Sequence, residues 1–488
     1  MKYDYDPVPT KSFITSGTKT EIVIQPVTNF EKNDGSSLGK RHGQMFIYSI
    51  LLFLTLSMSV NISICIVAMT DPTASINEDI PTYNWTDKSI ILSAFFWGYM
   101  LPQIAAGWLV TKYGPKWFLV GAMTLCSLFG YLLPIMAESL GSKGVMGCRF
   151  MQGVCLSVVY PSVHALLGKW VPPNERSRMA TFVYAGSPAG VVVSMFVSGY
   201  IAASWYGWPM VFYFYSTIGL MWSLTFSYFG SNGPAEHSTI SNEERNYIQS
   251  GLKQGEDDGT FRTPWRKILT SIKVWALITT SFGYSWGYFT LLSEIPIYLK
   301  SVMKFDMESN SLISCLPYLL KLILAYFFSF VADKLINKKI CSIGTTRKLM
   351  NGIGMVLPAI ALLWLGNTGK DEVKLVIVLL IVAVGISSAG LSGFLVNHMD
   401  LSPNHSGTLM GIDNQFSLLS SALGPLSVQF LVPDEENADQ WKFVFYSTSI
   451  IYVVVTIIFC VFGSGSIQPW NNAEEDRYQE KEKEDAVL

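Results

Sequence analysis

Twelve runs of predominantly apolar residues, each about 20 residues long or more, constrain this chain more than any other feature. A bilayer core of roughly 30 Å asks for about 20 such residues in a helix. The runs lie at about 44–68, 89–111, 117–136, 145–166, 179–202 and 209–230, then 273–296, 310–331, 348–366, 373–396, 407–431 and 442–463. They are numbered spans 1 to 12. Only 14% of the 488 residues are charged, against about 25% in a soluble domain, too few to coat a soluble surface of this size. The 34 basic and 36 acidic residues nearly cancel, which argues against a nucleic-acid partner. Cys65, Cys126, Cys148, Cys155, Cys315 and Cys460 sit inside apolar runs and no CxxC pair occurs, so no disulfide framework is expected. The expected fold is an all-α polytopic membrane protein of twelve transmembrane helices.

The connections carry the orientation. One set holds Lys112 and Lys116, then Lys169, Arg176 and Arg178, then Lys334, Lys338, Lys339, Arg347 and Lys348. The alternate set is acidic or mixed, with Asp71, Glu78, Asp79 and Asp87 in the first connection and Asp434, Glu435, Glu436 and Asp439 in the last. The positive-inside rule places the basic set and both termini in the cytosol. The first forty residues are polar with no apolar h-region, so span 1 is expected to be a retained signal-anchor. Asn84-Trp85-Thr86 then falls outside as an accessible glycosylation sequon.

A polar connection, residues 231–272, divides the spans six and six. The expected organisation is an N-terminal tail (1–43), a first six-helix bundle (44–230), this central connection, a second bundle (273–463) and an acidic tail (464–488). The halves echo one another. Gly107 to Lys116 follows span 2, and Ala332-Asp333-Lys334 follows span 8. His164 precedes Pro173-Asn174 and a span with Gly186 and Gly190; His398 precedes Pro403-Asn404 and a span with Gly407, Gly411 and Gly424. Transporters are often built from such repeats, with the substrate site near the midplane between the halves.

More specific are Phe95-Phe96-Trp97-Gly98-Tyr99 with Gln103-Ile104, Arg149-Phe150-Met151-Gln152-Gly153, Pro161-Ser162-Val163-His164 and Trp170-Val171-Pro172-Pro173-Asn174-Glu175-Arg176-Ser177. Tyr184-Ala185-Gly186, Asn397-His398-Met399-Asp400, Pro403, Gly407, Gly411 and Asn414 follow in order. Together these resemble the anion–cation symporter family of the major facilitator superfamily, which includes sialin, the vesicular glutamate transporters and the sodium–phosphate cotransporters. The chain is most similar to the insect-type members described as inorganic phosphate cotransporters. The resemblance implies two six-helix bundles that alternate access. It also implies a small organic or inorganic anion as substrate, driven by sodium, protons or membrane potential. The family's arginine late in span 1 falls at Ser59, and its span-4 carboxylate at Leu156. The second-half arginine of the vesicular glutamate transporters falls at Tyr284. These departures argue against vesicular glutamate transport and remove the carboxylate through which span 4 would couple protons.

Charge inside a bilayer is costly and usually lines a watered path. At 100° per residue Arg149 shares a face with Gln152, Leu156 and Tyr160, and His164 lies slightly off it. Its guanidinium fork suits an oxyanion, with snorkelling to headgroups as the alternative. Lys321 lies roughly 15–18 Å into span 8, near the midplane. It is expected to supply positive charge from the second half, or else to pair with Glu294 or Asp413 or be held neutral by desolvation. Glu294 is expected to be either a cation or proton site or a helix-end carboxylate facing water. Asp413 opens a polar stripe with Ser417, Ser420 and Gly424 and is expected at a gate. His164 could move protons or be a buried, hydrogen-bonded core histidine. With Asn414 and His398, these form the candidate ion-coupling or gating set. Tyr160, Tyr284 and Gln152 join Arg149 and Lys321 as the candidate substrate set, with Trp286 and Tyr288 as further aromatic wall.

Gly107, Lys112, Lys116 and Asp333 are expected to latch the bundles. No Walker loop, HExxH or GxSxG is found, and the five histidines are scattered, so neither an enzyme nor a metal site is expected. The reading is a secondary active anion transporter, monomeric, without cofactor, coupled to sodium or protons. Sodium-dependent phosphate symport leads; organic-anion transport driven by protons or potential is the alternative, and a receptor or anion channel on the same fold is a third. No acidic dileucine signal is found, which favours the plasma membrane over a lysosomal or vesicular location.

Overall fold

The computed structural model describes residues 39–172, 175–253, 263–369, 371–403 and 405–472. The N-terminal tail up to residue 38, residues 254–262, the tail beyond residue 472, Pro173, Asn174, Lys370 and Asn404 lie outside the described residues. Every regular element among the described residues is helical.

Span 1 is Lys40–Thr70. Span 2 has two pieces, Lys88–Met100 and Gln103–Tyr113, separated at Pro102. Spans 3 and 4 share the helix Pro115–Leu156, which reverses at Gly141, and span 4 resumes as Val159–Trp170. Gly141 has φ 62° and ψ −146°, a conformation open only to glycine. Span 5 comprises Arg176–Tyr184 and Gly186–Ala203, and span 6 is Gly207–Phe229. After the connecting helices Asn242–Lys253 and Trp265–Leu269 come span 7, Ile272–Ser301, and span 8, Met307–Asn337. Span 9 is Ile343–Gly366. Span 10 begins as Val373–Ile386, tightens to a 3-10 turn at Ser387–Ser392 and ends in Asn397–Leu401. Span 11 is Ser406–Leu431 and span 12 is Ala438–Phe462. Spans 1, 3, 4, 5, 8, 9, 10 and 12 fall in the seven stretches long and apolar enough to cross a bilayer unaided. Spans 2, 6, 7 and 11 are broken or more polar, and three of these four line the candidate site.

The helix pairs repeat between the halves. Span 1 packs on span 5 as span 7 packs on span 11; span 2 meets span 4, and span 3 meets span 6 as span 9 meets span 12. Between the halves, span 2 packs against span 11 and span 5 against span 8, which is the same pairing under exchange of the halves. The sequence echoes therefore mark a duplicated six-helix unit. They do not extend to every glycine. A Cβ on Gly186 or Gly190 would stand 2.2 or 2.3 Å from the Ser49 or Phe53 carbonyl oxygen of span 1, whereas Gly407 and Gly411 face open space.

The expected loop from Gly107 to Lys116 is instead mostly helix. Gly107 lies inside Gln103–Tyr113, and the turn is Gly114 alone, at φ 85°. In the central connection, the Glu244 carboxylate accepts from the Lys40 and Arg41 backbone N–H groups, capping the positive end of span 1. Buried Arg41 binds Glu244 and, through both Nε and Nη2, Glu175. That clamp holds the connecting helix to the first bundle.

Close packing predicts an asymmetry between two glycines. Gly190→Leu is expected to lower stability by about 1–3 kcal/mol, the usual range for overpacking, whereas Gly411→Leu should change it little. Thermal melts of the detergent-purified variants measure this; equal shifts would contradict the span 1–span 5 packing.

Candidate functional site

Arg149 stands two turns beyond the Gly141 reversal and is 1% exposed. Its Nη1 donates to the Met58 carbonyl at 2.8 Å and to Gln152 Oε1 at 2.9 Å, and Nη2 donates to the Ser59 carbonyl. The fork thus grips the backbone of span 1 at the residue where the resemblance places an arginine. Only Nε lacks a partner. Snorkelling is excluded by this geometry. Gln152 also donates weakly to the Cys126 carbonyl at 3.4 Å, fixing its amide.

The helix is interrupted at Ser157 and Val158, both still in right-handed helical conformation, so Tyr160 and His164 keep roughly the expected face but do not bond to Arg149. Tyr160 and His164 instead form a wall with span 5. The Tyr160 hydroxyl lies 2.8 Å from Ser187 Oγ, the His164 Nδ1 lies 2.7 Å from the Tyr184 hydroxyl, and the two tyrosine rings stack at 6.4 Å. His164 is exposed, so the core-histidine alternative does not hold.

Lys321 forms no ion pair with Glu294 or Asp413, contrary to one expectation. Its Nζ rests 3.4 Å from the Tyr288 ring centroid and 4.9 Å from that of Tyr284. A desolvated cation–π contact contributes about 2 kcal/mol, less than a buried ion pair forfeits when broken. Tyr284 stacks on Tyr288 at 6.2 Å and meets Phe394 at 5.1 Å. From Tyr288, ring contacts run to Phe289 at 4.9 Å, across the bundle boundary to Phe96 at 5.0 Å, then to Phe95 at 5.6 Å. Phe95 lies 4.8 Å beneath the Arg149 guanidinium carbon. One aromatic lane therefore joins the two cations of opposite halves. Half-buried Trp286 lies off the lane, tilted on Phe282.

Glu294 does not face water. It is 2% exposed, and neither carboxylate oxygen has a hydrogen-bond partner. The Asp413 side chain makes its bonds within the second bundle. Its Oδ2 accepts from Ser281 Oγ at 2.7 Å and lies 3.4 Å from His398 Nε2, while Ser281 also meets Ser417 Oγ at 2.9 Å. This network lies within the second bundle, and Asn414 beside it is half-buried. Asp333 is exposed; the carboxylate that does hold the basic side of the second bundle is Asp400, bound by Arg347 Nε at 2.7 Å. Exposed Lys112 lies over the Tyr113 ring, and Lys116 over the Trp117 ring, with the Lys116 N–H donating to Asn232. Asn84 is exposed in the non-helical first connection.

The acidic face is shut. Asp71 pairs with Lys300, Lys88 pairs with Glu435, Gln429 donates to the Thr86 carbonyl at 2.7 Å and Ser93 to the Ala422 carbonyl at 2.8 Å, all between halves. Towards the basic face, the pieces Gln103–Tyr113, Val159–Trp170 and Arg176–Tyr184 pack chiefly within their own half. Gln415 donating to Gln103 at 2.9 Å is a cross-link there.

Residues 51–425 match the family described as Major Facilitator Superfamily. The chain belongs to that superfamily. A "Putative inorganic phosphate cotransporter" of Drosophila melanogaster is 36% identical over 460 residues, covering 88% of this chain and 87% of that protein. Vesicular glutamate transporter 3 of Danio rerio is 36% identical (80% of this chain, 67% of that one), and human sialin 32% (86% and 88%). These relatives place it in the superfamily's anion–cation symporter group. It is a membrane transporter, not an enzyme. Among solved structures, a bacterial homologue of the human lysosomal transporter Spinster, inward-facing and occupied, superposes with TM-score 0.68 at 12% identity, covering 87% of this chain and 97% of that one. The inward-open xylose transporter XylE of E. coli gives 0.66 at 13%, with the same coverages.

In this transporter the Phe95–Phe96–Phe289 lane and the Asp71, Lys88 and Lys300 links escaped sequence reasoning. Lys300 in the last turn of span 7, beside acidic connections, was the available signal. Burial alone would raise the Asp71 carboxyl, but its bonds to Lys300 and Thr73 hold it below the ordinary aspartate value. The pair's contribution to closure is therefore complete at neutral pH and lost as pH falls through that lowered value. Asp71→Asn is expected to raise labelling of a Ser93→Cys reporter by an impermeant maleimide several-fold. Unchanged labelling would show that this ion pair does not hold the face shut.

Proposed function

We propose that this transporter carries a small oxyanion through alternating access, with inorganic phosphate as the substrate class and a cation as the driving ion. The observation that carries the reading is a pair of cations within the spans, buried Arg149 and half-buried Lys321, one from each half and joined by the aromatic lane. An anion drawn between them would replace the rings at Lys321, and compete with the carbonyls at Arg149, through charge-assisted hydrogen bonds. Such a site strengthens only when both halves approach the anion, which links binding to the rocking of one bundle on the other. The phosphate class comes from the Drosophila relatives' names, and the tyrosine wall at Tyr160, Tyr184, Tyr284 and Tyr288 favours a second reading, an organic anion with a flat body.

The expected coupling ion is sodium or a proton; the buried His398–Asp413 pair favours the proton. The orientation follows the positive-inside rule, so the basic face and both termini are cytosolic and the present state faces inward. The plasma membrane is the proposed location, with the monomer as the working unit. Asn84, exposed beyond the acidic face, would then carry the glycan.

Uptake of labelled phosphate, sialate and glutamate into proteoliposomes, with sodium and pH gradients imposed separately, tests this reading. Gradient-driven accumulation of phosphate is expected, and equilibration without accumulation would point to a channel. Lys321→Gln and Arg149→Lys should each cut uptake about tenfold or more, the second because a point charge cannot reproduce the fork. Normal transport by folded Lys321→Gln would remove Lys321 from the site. For the orientation, Asn84→Gln should abolish a glycosidase-sensitive mobility shift in eukaryotic cells; no shift in the parent chain would contradict an external acidic face.

A further inference from the structure

The anion site leaves one buried titratable cluster unused. His398 and Asp413 are 1% and 3% exposed. His398 opens the short helix after span 10 has lost α-geometry through Ser387–Ser392 and the turns that follow. Interrupted helices of this kind mark ion sites in transporters.

Hydrogen-bond valence fixes the proton count. His398 Nδ1 lies 2.7 Å from the Leu395 carbonyl, which can only accept, so Nδ1 carries a hydrogen. The other nitrogen, Nε2, faces Asp413 Oδ2 at 3.4 Å. Without a further proton, a nitrogen lone pair would point at a carboxylate in a dry interior, and the two would repel. One proton between them, on Nε2 or on the carboxyl, turns repulsion into attraction. Asp413 Oδ1 has no partner of its own, while Oδ2 already accepts from Ser281.

Among the described residues the charged groups around this pair have partners of their own. Span 9 presents Arg347, whose fork is taken by Asp400 and the Ser392 carbonyl. The helix of His398 presents Asp400, which that arginine and Asn397 hold. Span 7 offers Ser281 and the phenol Tyr284, and span 8 offers Lys321, seated on the Tyr284 and Tyr288 rings. The start of span 11 places His405 against Trp470, and the segment after span 12 gives Asn471, bonded to Ser402.

We infer that the His398–Asp413 pair is the transporter's proton-coupling site, holding one proton in the inward-facing state and releasing it to the basic face. On release the proton passes to water, leaving neutral His398 with its Nε2 lone pair against ionised Asp413. The repulsion favours separation of the inner end of span 10 from span 11, which resets the second bundle. The site thus replaces, in the second half, the span-4 carboxylate absent at Leu156. This inference rests on the proposed anion transport, and its test is arranged to survive failure of that reading.

The full chain and its Asp413→Asn and His398→Gln variants are compared in proteoliposomes with labelled inorganic phosphate. Two modes are read: exchange at equal pH on both sides and accumulation driven by a pH gradient. Asp413→Asn can donate an amide N–H to Nε2, so it imitates the loaded pair without titrating. It is expected to keep exchange within about twofold and to lose gradient-driven accumulation by about tenfold or more. Accumulation at the parent's level would overturn the assignment. Should the parent move no phosphate, melting of the purified protein between roughly pH 5 and 8 decides. The parent's Tm is expected to fall several degrees further than that of Asp413→Asn as pH rises and the shared proton leaves, the buried Glu294 carboxyl being common to both. A parent Tm that falls no further than the variant's would overturn the assignment.

Discussion

A charge inside a bilayer must bring its own solvent, and the way this chain solvates Arg149 and Lys321 sets the geometry of everything between them. Translocon-type scales put such a residue at about 2.5–3.5 kcal/mol when uncompensated. Arg149 meets that cost with two backbone carbonyls of span 1 and Gln152. Lys321 meets it with two phenol rings. The carbonyl solution is strong and ties span 4 to span 1, so the first bundle is stiff where it faces the substrate path. The ring solution is weak and leaves the lysine able to turn toward a better partner. One cation is structural until an anion competes for it; the other is held in reserve.

The lane between them explains why closing the acidic face matters chemically. Phe96 and Phe289 meet only because spans 2 and 7 are drawn together, and span 2 is held against span 11 by Ser93 and Gln429. Parting that face would break the lane and uncover both cations to water. A single motion therefore changes the solvation of both charges, as alternating access requires.

The architecture was legible because the bilayer writes itself into the sequence as long apolar runs, and because duplicated units keep their punctuation at matched positions. Gly186 and Gly190 were readable as close-packing residues, since small residues are what let helices touch. The site was less legible for a physical reason. Arg149's acceptors are the carbonyls of Met58 and Ser59, and a carbonyl has no letter of its own. Lys321's partners are aromatic faces that also serve as ordinary packing. Glu294 reads as a helix-end carboxylate, and only the closure of one half on the other buries it.

The missing charges become intelligible once the partners are placed. An arginine at position 59 would compete with Arg149 for the same region, since the Arg149 fork already reaches the Ser59 carbonyl from span 4. The first half therefore needs no second cation there to stay positive at the lane's end. Positive charge instead enters from span 8, where the midplane ammonium faces rings rather than carboxylates. Anionic groups are kept away from that lysine: Glu294 lies nearer the acidic face, and Asp413 is occupied by Ser281 and His398. A carboxylate beside Lys321 would neutralise it and leave an arriving anion nothing to gain. Keeping the buried acids apart from Arg149 and Lys321 leaves both positive charges available to an anion.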